Sequence, residues 1–168
     1  MNGHYIRQLE PDELYKLAAD YWPASATSTS EPYQRSILAI VQERLKYLGE
    51  IPVLTEFFFE EPSTASVAKL YNEPVDKKLK NIDKSELKNM LNSTLDALED
   101  SDYSPGDIAK RLNPLLEQLH TKPGILFAAV RIAITGSASS PELFGTISVL
   151  GKKKVTKRLN EALKVLAR

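Results

Sequence analysis

Apolar residues recur at helical spacing through most of the chain. Leu14, Leu17, Ala18 and Tyr21 stand at i, i+3, i+4 and i+7 after a start at Glu10-Pro11, which predicts one apolar helical face ending at Trp22-Pro23. A short helical turn is expected at Tyr5 to Leu9, and Ala24 to Ser30 reads as a loop. Ile37, Leu38, Val41, Leu45 and Leu48 form a second stripe, which predicts a helix from Glu31-Pro32 through Gly49. Ile51-Pro52 opens a third element with Leu54, Phe57, Phe58 and Phe59 as core candidates, closed by Glu60-Glu61-Pro62. Ser63 to Asn81 is less regular, with a short helix around Val67, Leu70 and Tyr71 broken at Glu73-Pro74.

The second half is more periodic. Asp83 and Glu86 make a capping box before Leu87, Met90, Leu91, Thr94, Leu95 and Leu98. Ser104-Pro105 starts a helix carrying Ile108, Leu112, Leu115, Leu116 and Leu119, with a kink expected at Pro114. From Lys152, a last helix shows Val155, Leu159, Ala162, Leu163 and Leu166 on one face. No segment sustains a period of two. An all-α fold of short helices follows, a two-part helical bundle or cage divided into residues 1–73 and 74–168.

The stretch from Lys122 to Val155 stands out. Ile125 to Thr135 is apolar apart from Arg131 and Thr135, Gly136 to Pro141 is a small polar elbow, and Glu142 to Leu150 is apolar again. A charge inside an apolar segment is costly unless it is paired or reaches solvent. Arg131 is therefore either a pairing residue, with Glu117 or Glu142 as acid, or a residue aimed into a site.

Charge sharpens the picture. Acidic and basic residues balance at 22 each, but seven basic residues after Gly151 face the single acid Glu161. That local excess of six sits on a body with an equal deficit, which suggests either a polyanion-facing patch or a solvated helix face. The chain has no cysteine, which excludes disulfides, thiolate metal sites and cysteine nucleophiles. No apolar run approaches the ~20 residues of a membrane span. The N-terminal residues lack an apolar signal region, so a cytoplasmic protein is expected. Phosphate-loop, nucleophile-elbow and paired-histidine metal motifs are missing, and the two histidines, His4 and His120, are far apart. Two arginines near helix ends remain, Arg44 and Arg131. A planar guanidinium suits base edges and phosphates, and a Ser/Gly/Pro elbow can read unstacked bases through backbone groups. The plain alternative for Arg44 is an ordinary surface residue.

The segment from Pro123 to Leu163 resembles the anticodon-binding region of bacterial-type glutamyl-tRNA synthetases. Three motifs carry the likeness: Arg131-Ile132-Ala133-Ile134-Thr135-Gly136; Ser140-Pro141-Glu142-Leu143; and Leu150-Gly151-Lys152 through Arg158-Leu159. Asn2 to Leu9 and Val41 to Phe59 add weaker matches, so the resemblance covers essentially the whole chain.

The resemblance implies an anticodon-binding role at the C-terminal end of a glutamate–tRNA ligase, with glutamate tRNA as partner and a monomer as the expected state. It aligns Arg44 with the residue at the third anticodon base, where arginine is typical of enzymes restricted to glutamate tRNA. It aligns Arg131, Ser140, Pro141 and Leu143 with the first two bases, serine replacing the more usual threonine at Ser140. It sets Lys152, Lys153, Lys154 and Arg158 along the tRNA backbone. The His-Ile-Gly-His-type and Lys-Met-Ser-Lys-Ser-type motifs of the catalytic domain are not in the sequence. ATP and Mg²⁺ are accordingly expected to bind outside this chain, which is expected to be inactive alone and to hold no cofactor. A helical protein-interaction module and a free-standing tRNA-binding paralogue are the rival readings.

Overall fold

The computed structural model describes residues 2–168, and no strand occurs among them. Nine α-helices follow in order among the described residues: α1 Gly3–Arg7, α2 Pro11–Ala18, α3 Glu31–Val41, α4 Ile51–Phe59, α5 Thr64–Asn72, α6 Lys84–Leu98, α7 Pro105–Gln118, α8 Pro123–Thr135 and α9 Leu143–Leu166. Most starts follow from local chemistry. The side chains of Asn2, Ser30, Ser63, Asp83 and Ser104 each accept a hydrogen bond from a first-turn amide, satisfying a donor that the helix itself leaves unpaired. Proline occupies the first turn of α2, α3, α4, α7 and α8, where no intrahelical donor is lost. None of the described helices is long and apolar enough to cross a membrane.

The chain packs as two compact units, Met1–Glu61 and Pro62–Arg168. In the first, Ile6, Leu14, Ile37, Val41, Leu45, Ile51 and Phe58 are fully buried. Of the three consecutive phenylalanines, Phe58 fills the core, while Phe59 takes the edges of Trp22 and Tyr33 at 5.8 and 5.9 Å. Helix α3 ends at Val41 and does not continue to Gly49. Gln42 anchors this end: its Nε2 donates to the carbonyls of Ile6 and Leu9, both at 2.9 Å. A 3-10 turn, Gln42–Arg44, follows, and Leu45 is extended. Leu45 and Leu48 are still buried, delivered to the core from irregular backbone.

The second unit contains α5 to α9. The division at Glu61/Pro62 differs from the boundary at 73/74 expected from the proline pattern. Helix α5 is longer than the pattern indicates and packs against α8 and α9. Buried Tyr71 donates its hydroxyl to the Ala129 carbonyl of α8 at 2.7 Å. Burial pushes the Tyr71 phenol well above its ordinary pKa and keeps it a neutral donor. Helix α7 runs through Pro114 without a break, and Pro114 itself is solvent-exposed. Helix α9 is interrupted at Gly151, whose φ of 83° and ψ of 164° belong to a region open essentially to glycine alone. The apolar segment Leu143 to Leu150 and the basic segment from Lys152 are thus separate rods joined at this residue.

Gly151 isolates backbone strain from packing, because a β-carbon there would meet no atom within 4 Å. Gly151→Ala should therefore lower unfolding free energy by about 1–3 kcal/mol from strain alone, read by urea denaturation. An unchanged midpoint would mean that the junction relaxes to an ordinary conformation.

Candidate functional site

The polar elbow between α8 and α9 is assembled by three hydroxyls and one glycine. Gly136 ends α8 in the left-handed conformation, at φ 68°, and its amide donates to the Ile132 carbonyl at 2.9 Å. A β-carbon there would also stand 2.8 Å from Cβ of Pro62, so both conformation and space call for glycine. Thr135 donates back to the Arg131 carbonyl at 2.7 Å, and its oxygen accepts the Ser137 amide at 3.2 Å. Ser137 donates to the Ser139 carbonyl at 2.9 Å and accepts the Ser139 amide at 3.1 Å. These short-range bonds satisfy the backbone locally and keep a loop of small residues in one shape.

Arg131 projects from the last full turns of α8, whose other faces carry buried Leu126, Ala129, Val130, Ile132, Ala133 and Ile134. Its side chain is half-buried, and its Nε donates to Ser140 Oγ at 2.7 Å. Ser140 Oγ in turn donates to the Pro141 carbonyl at 3.0 Å. This chain of bonds fixes the plane of the guanidinium. Glu142, one acid offered for Arg131 by the sequence, caps the next helix: its two carboxylate oxygens accept the Phe144 and Gly145 amides, each at 2.7 Å. The Phe144 ring meets Phe127 edge-on at 5.4 Å, tying the start of α9 back to α8.

Arg131, Ser140, Pro141 and Leu143 are thus brought together, but in different roles. Ser140 and Leu143 are 5% and 4% exposed, and Pro141 is buried as well. The groups at the elbow surface are the Arg131 guanidinium, exposed Ala138, Ser139 and Glu142, and the backbone of that loop. Ser140, Pro141 and Leu143 shape this surface from beneath in the structure as it stands.

The basic segment of α9 needs one correction. Lys152 and Lys153 are exposed and Lys154 is half-buried, but Arg158 is only 2% exposed. The expectation that Arg158 lies along a polyanion backbone is not met. Its position explains why: 158 falls on the stripe of Val155, Leu159, Ala162, Val165 and Leu166 that α9 turns inward. The guanidinium Nη1 donates to the Ile134 carbonyl at 2.7 Å, one of the last four carbonyls of α8. A cation there pairs with an acceptor the helix leaves open and with the negative end of its dipole. Exposed Lys157, four residues after Lys153, shares its face and takes the outward role. Lys152 reaches the Glu99 carbonyl at the end of α6, at 2.5 Å.

Arg44 belongs to the first unit. It is exposed at the end of the 3-10 turn that Gln42 anchors, followed by extended Leu45.

Comparison with known proteins follows the same lines. The family profile described as an anticodon binding domain matches residues 13–163. A glutamate–tRNA ligase of Chloroflexus aurantiacus is 33% identical over 173 residues, covering 99% of this chain and 34% of that protein. A glutamate–tRNA ligase of Roseiflexus castenholzii is 34% identical, covering 99% of this chain and 33% of that protein. The chain thus spans about a third of the length of the curated relatives it matches. A crystal structure of a glutamate tRNA ligase from Elizabethkingia meningosepticum has the same fold, with a TM-score of 0.78 at 17% identity over 98% of this chain and 31% of that one.

Arg158 and Lys153, both basic residues of α9, should behave differently when removed. Arg158→Met leaves a buried helix-end carbonyl without its donor and should cost about 2–3 kcal/mol of stability by denaturant unfolding. Lys153→Met, on the exposed face, should stay within about 0.5 kcal/mol. Equal effects would remove Arg158 from its structural role.

Proposed function

Because the chain belongs to the anticodon-binding domain family, we propose that it binds the anticodon arm of a transfer RNA, and that this RNA is the glutamate tRNA. The curated relatives named above support the choice of glutamate. In this reading the chain is the RNA-selecting part of an enzyme that attaches glutamate to its tRNA. Activation of glutamate, which takes ATP and Mg²⁺, is assigned to the two thirds of such ligases that this chain does not span. The reading carries the expectation of a monomer working in the cytoplasm.

The observation that carries the reading is the Arg131–Ser140 hydrogen bond of 2.7 Å at a rigid elbow. A guanidinium held in one plane is a preorganised fork for a base edge, and loop backbone groups beside it suit the Watson–Crick edges of unstacked bases. Lys152, Lys153, Lys154 and Lys157 supply positive charge for the phosphates. Arg44 is assigned to the third anticodon base, where it favours glutamate over glutamine tRNA.

Fluorescence anisotropy with a labelled anticodon arm of glutamate tRNA tests the reading. Affinity should fall as salt rises, because phosphate contacts release counterions. Arg131→Gln should cost about 1–3 kcal/mol and relax selectivity at one base, whereas Lys153→Ala should weaken all sequences alike and flatten the salt dependence. Arg44→Gln should narrow the preference over the glutamine anticodon arm. Equal affinity for an arm with a scrambled anticodon would overturn the assignment.

A further inference from the structure

The first unit presents an exposed aromatic ring that the base-reading residues above do not account for. Tyr47 is 56% exposed, although it lies between buried Leu45 and Leu48. A tyrosine left in water is unremarkable when its backbone is loose. Here the backbone is held. Tyr47 is extended, at φ −155° and ψ 158°. Its carbonyl accepts the Glu50 amide at 3.2 Å, and the preceding Lys46 amide donates to Glu50 Oε2 at 2.7 Å. Gly49 lies against the ring: a β-carbon at Gly49 would come within 3.2 Å of both Cδ2 and Cε2 of Tyr47. One side of the ring is thus supported by glycine, and much of the rest is open to solvent.

The surroundings hold cations among the acids Glu43 and Glu50. Arg44 and Lys46 are exposed on the same short segment. Helix α1 packs on the Gln42–Arg44 turn, and Gly3 marks the contact. A β-carbon at Gly3 would be 2.8 Å from the Leu45 carbonyl oxygen, 3.1 Å from Lys46 Cα and 3.0 Å from Nη1 of Arg7. The Arg7 guanidinium and the Lys46 backbone therefore both border Gly3, which adds a third cation near the segment that carries Tyr47.

An exposed ring on a fixed backbone, bordered by cations, is the arrangement that single-stranded nucleic acids use. Bases stack on the ring face, phosphates meet the cations, and little ordering remains to be done on binding. We infer that Tyr47 is a stacking platform for an unpaired base of the RNA loop, next to the base assigned to Arg44, with Arg7 and Lys46 on the flanking phosphates. The inference rests on the proposed binding of an anticodon arm and adds to it a contact made through a π-face, which tolerates any base. Selection then comes from Arg44 at the neighbouring base, and Tyr47 contributes affinity.

The test uses the 168-residue chain and anticodon arms of glutamate tRNA carrying 2-aminopurine at each loop position in turn. One position should be quenched on binding to the unaltered chain. Tyr47→Ala should abolish that quenching and weaken binding about 5- to 100-fold, the range expected for loss of one stacked base. Tyr47→Phe should keep both signals, and Tyr47→Leu, bulky but not aromatic, should lose the quenching. If the chain binds the arm and Arg131→Gln weakens it, while Tyr47→Ala binds and quenches like the unaltered protein, the stacking inference is overturned and the anticodon reading stands. If the unaltered chain does not bind the arm, both fall together.

Discussion

A buried guanidinium at the end of α8 is the constraint on which the second unit depends. Arg158 is 2% exposed and donates to the Ile134 carbonyl. Burying a charge is unfavourable unless it is hydrogen-bonded and meets opposite charge. The open carbonyls and negative dipole end of a helix supply both without an acidic side chain. The same contact joins the basic rod of α9 to the turn from which the elbow departs. Gly151 lets that rod change direction from Leu143–Leu150, so that one continuous stretch of chain can both leave the elbow through the helix start that Glu142 caps and return to brace the end of α8 through Arg158.

Arg131, three residues before Ile134 on α8, does the complementary job. The two arginines have the same chemistry and lie near the same helix end, yet one points inward to a carbonyl and the other toward the elbow, where Ser140 orients it. Support and display are thereby separated. The elbow keeps its shape through the Thr135, Ser137 and Ser139 hydrogen bonds. A loop fixed before its ligand arrives loses little conformational entropy on binding. In the first unit the same logic applies at smaller scale: Gln42 anchors the end of α3, and the segment carrying Arg44 and Tyr47 is pinned by Leu45, Leu48 and Glu50.

Much of this was legible in the residues, and the exceptions have physical reasons. The caps at Asp83 and Ser104, the break at Pro74 and the stop at Gly136 all depend on short-range chemistry and appear where the pattern puts them. The anchoring of the α3 end is not local, because Gln42 bonds to carbonyls more than thirty residues earlier. The unit boundary is also long-range: the Tyr71 contact with Ala129 ties α5 to the second unit, so the division falls at Pro62 and not at Pro74. Arg158 was within reach of the pattern. It stands at i+3 from Val155 and i−4 from Ala162, on the apolar stripe; its place among the lysines follows from the resemblance and from its charge, neither of which reports burial. Ser140, Pro141 and Leu143 lie together in space, but no sequence periodicity reports that an elbow buries its own side chains.

The most direct test of the central claim is amide hydrogen exchange of the chain with and without the anticodon arm of glutamate tRNA. The account predicts added protection at Gly136 to Ser140 and at Arg44 to Tyr47, with α7 unchanged. Protection confined to α7, or none at the elbow, would contradict it.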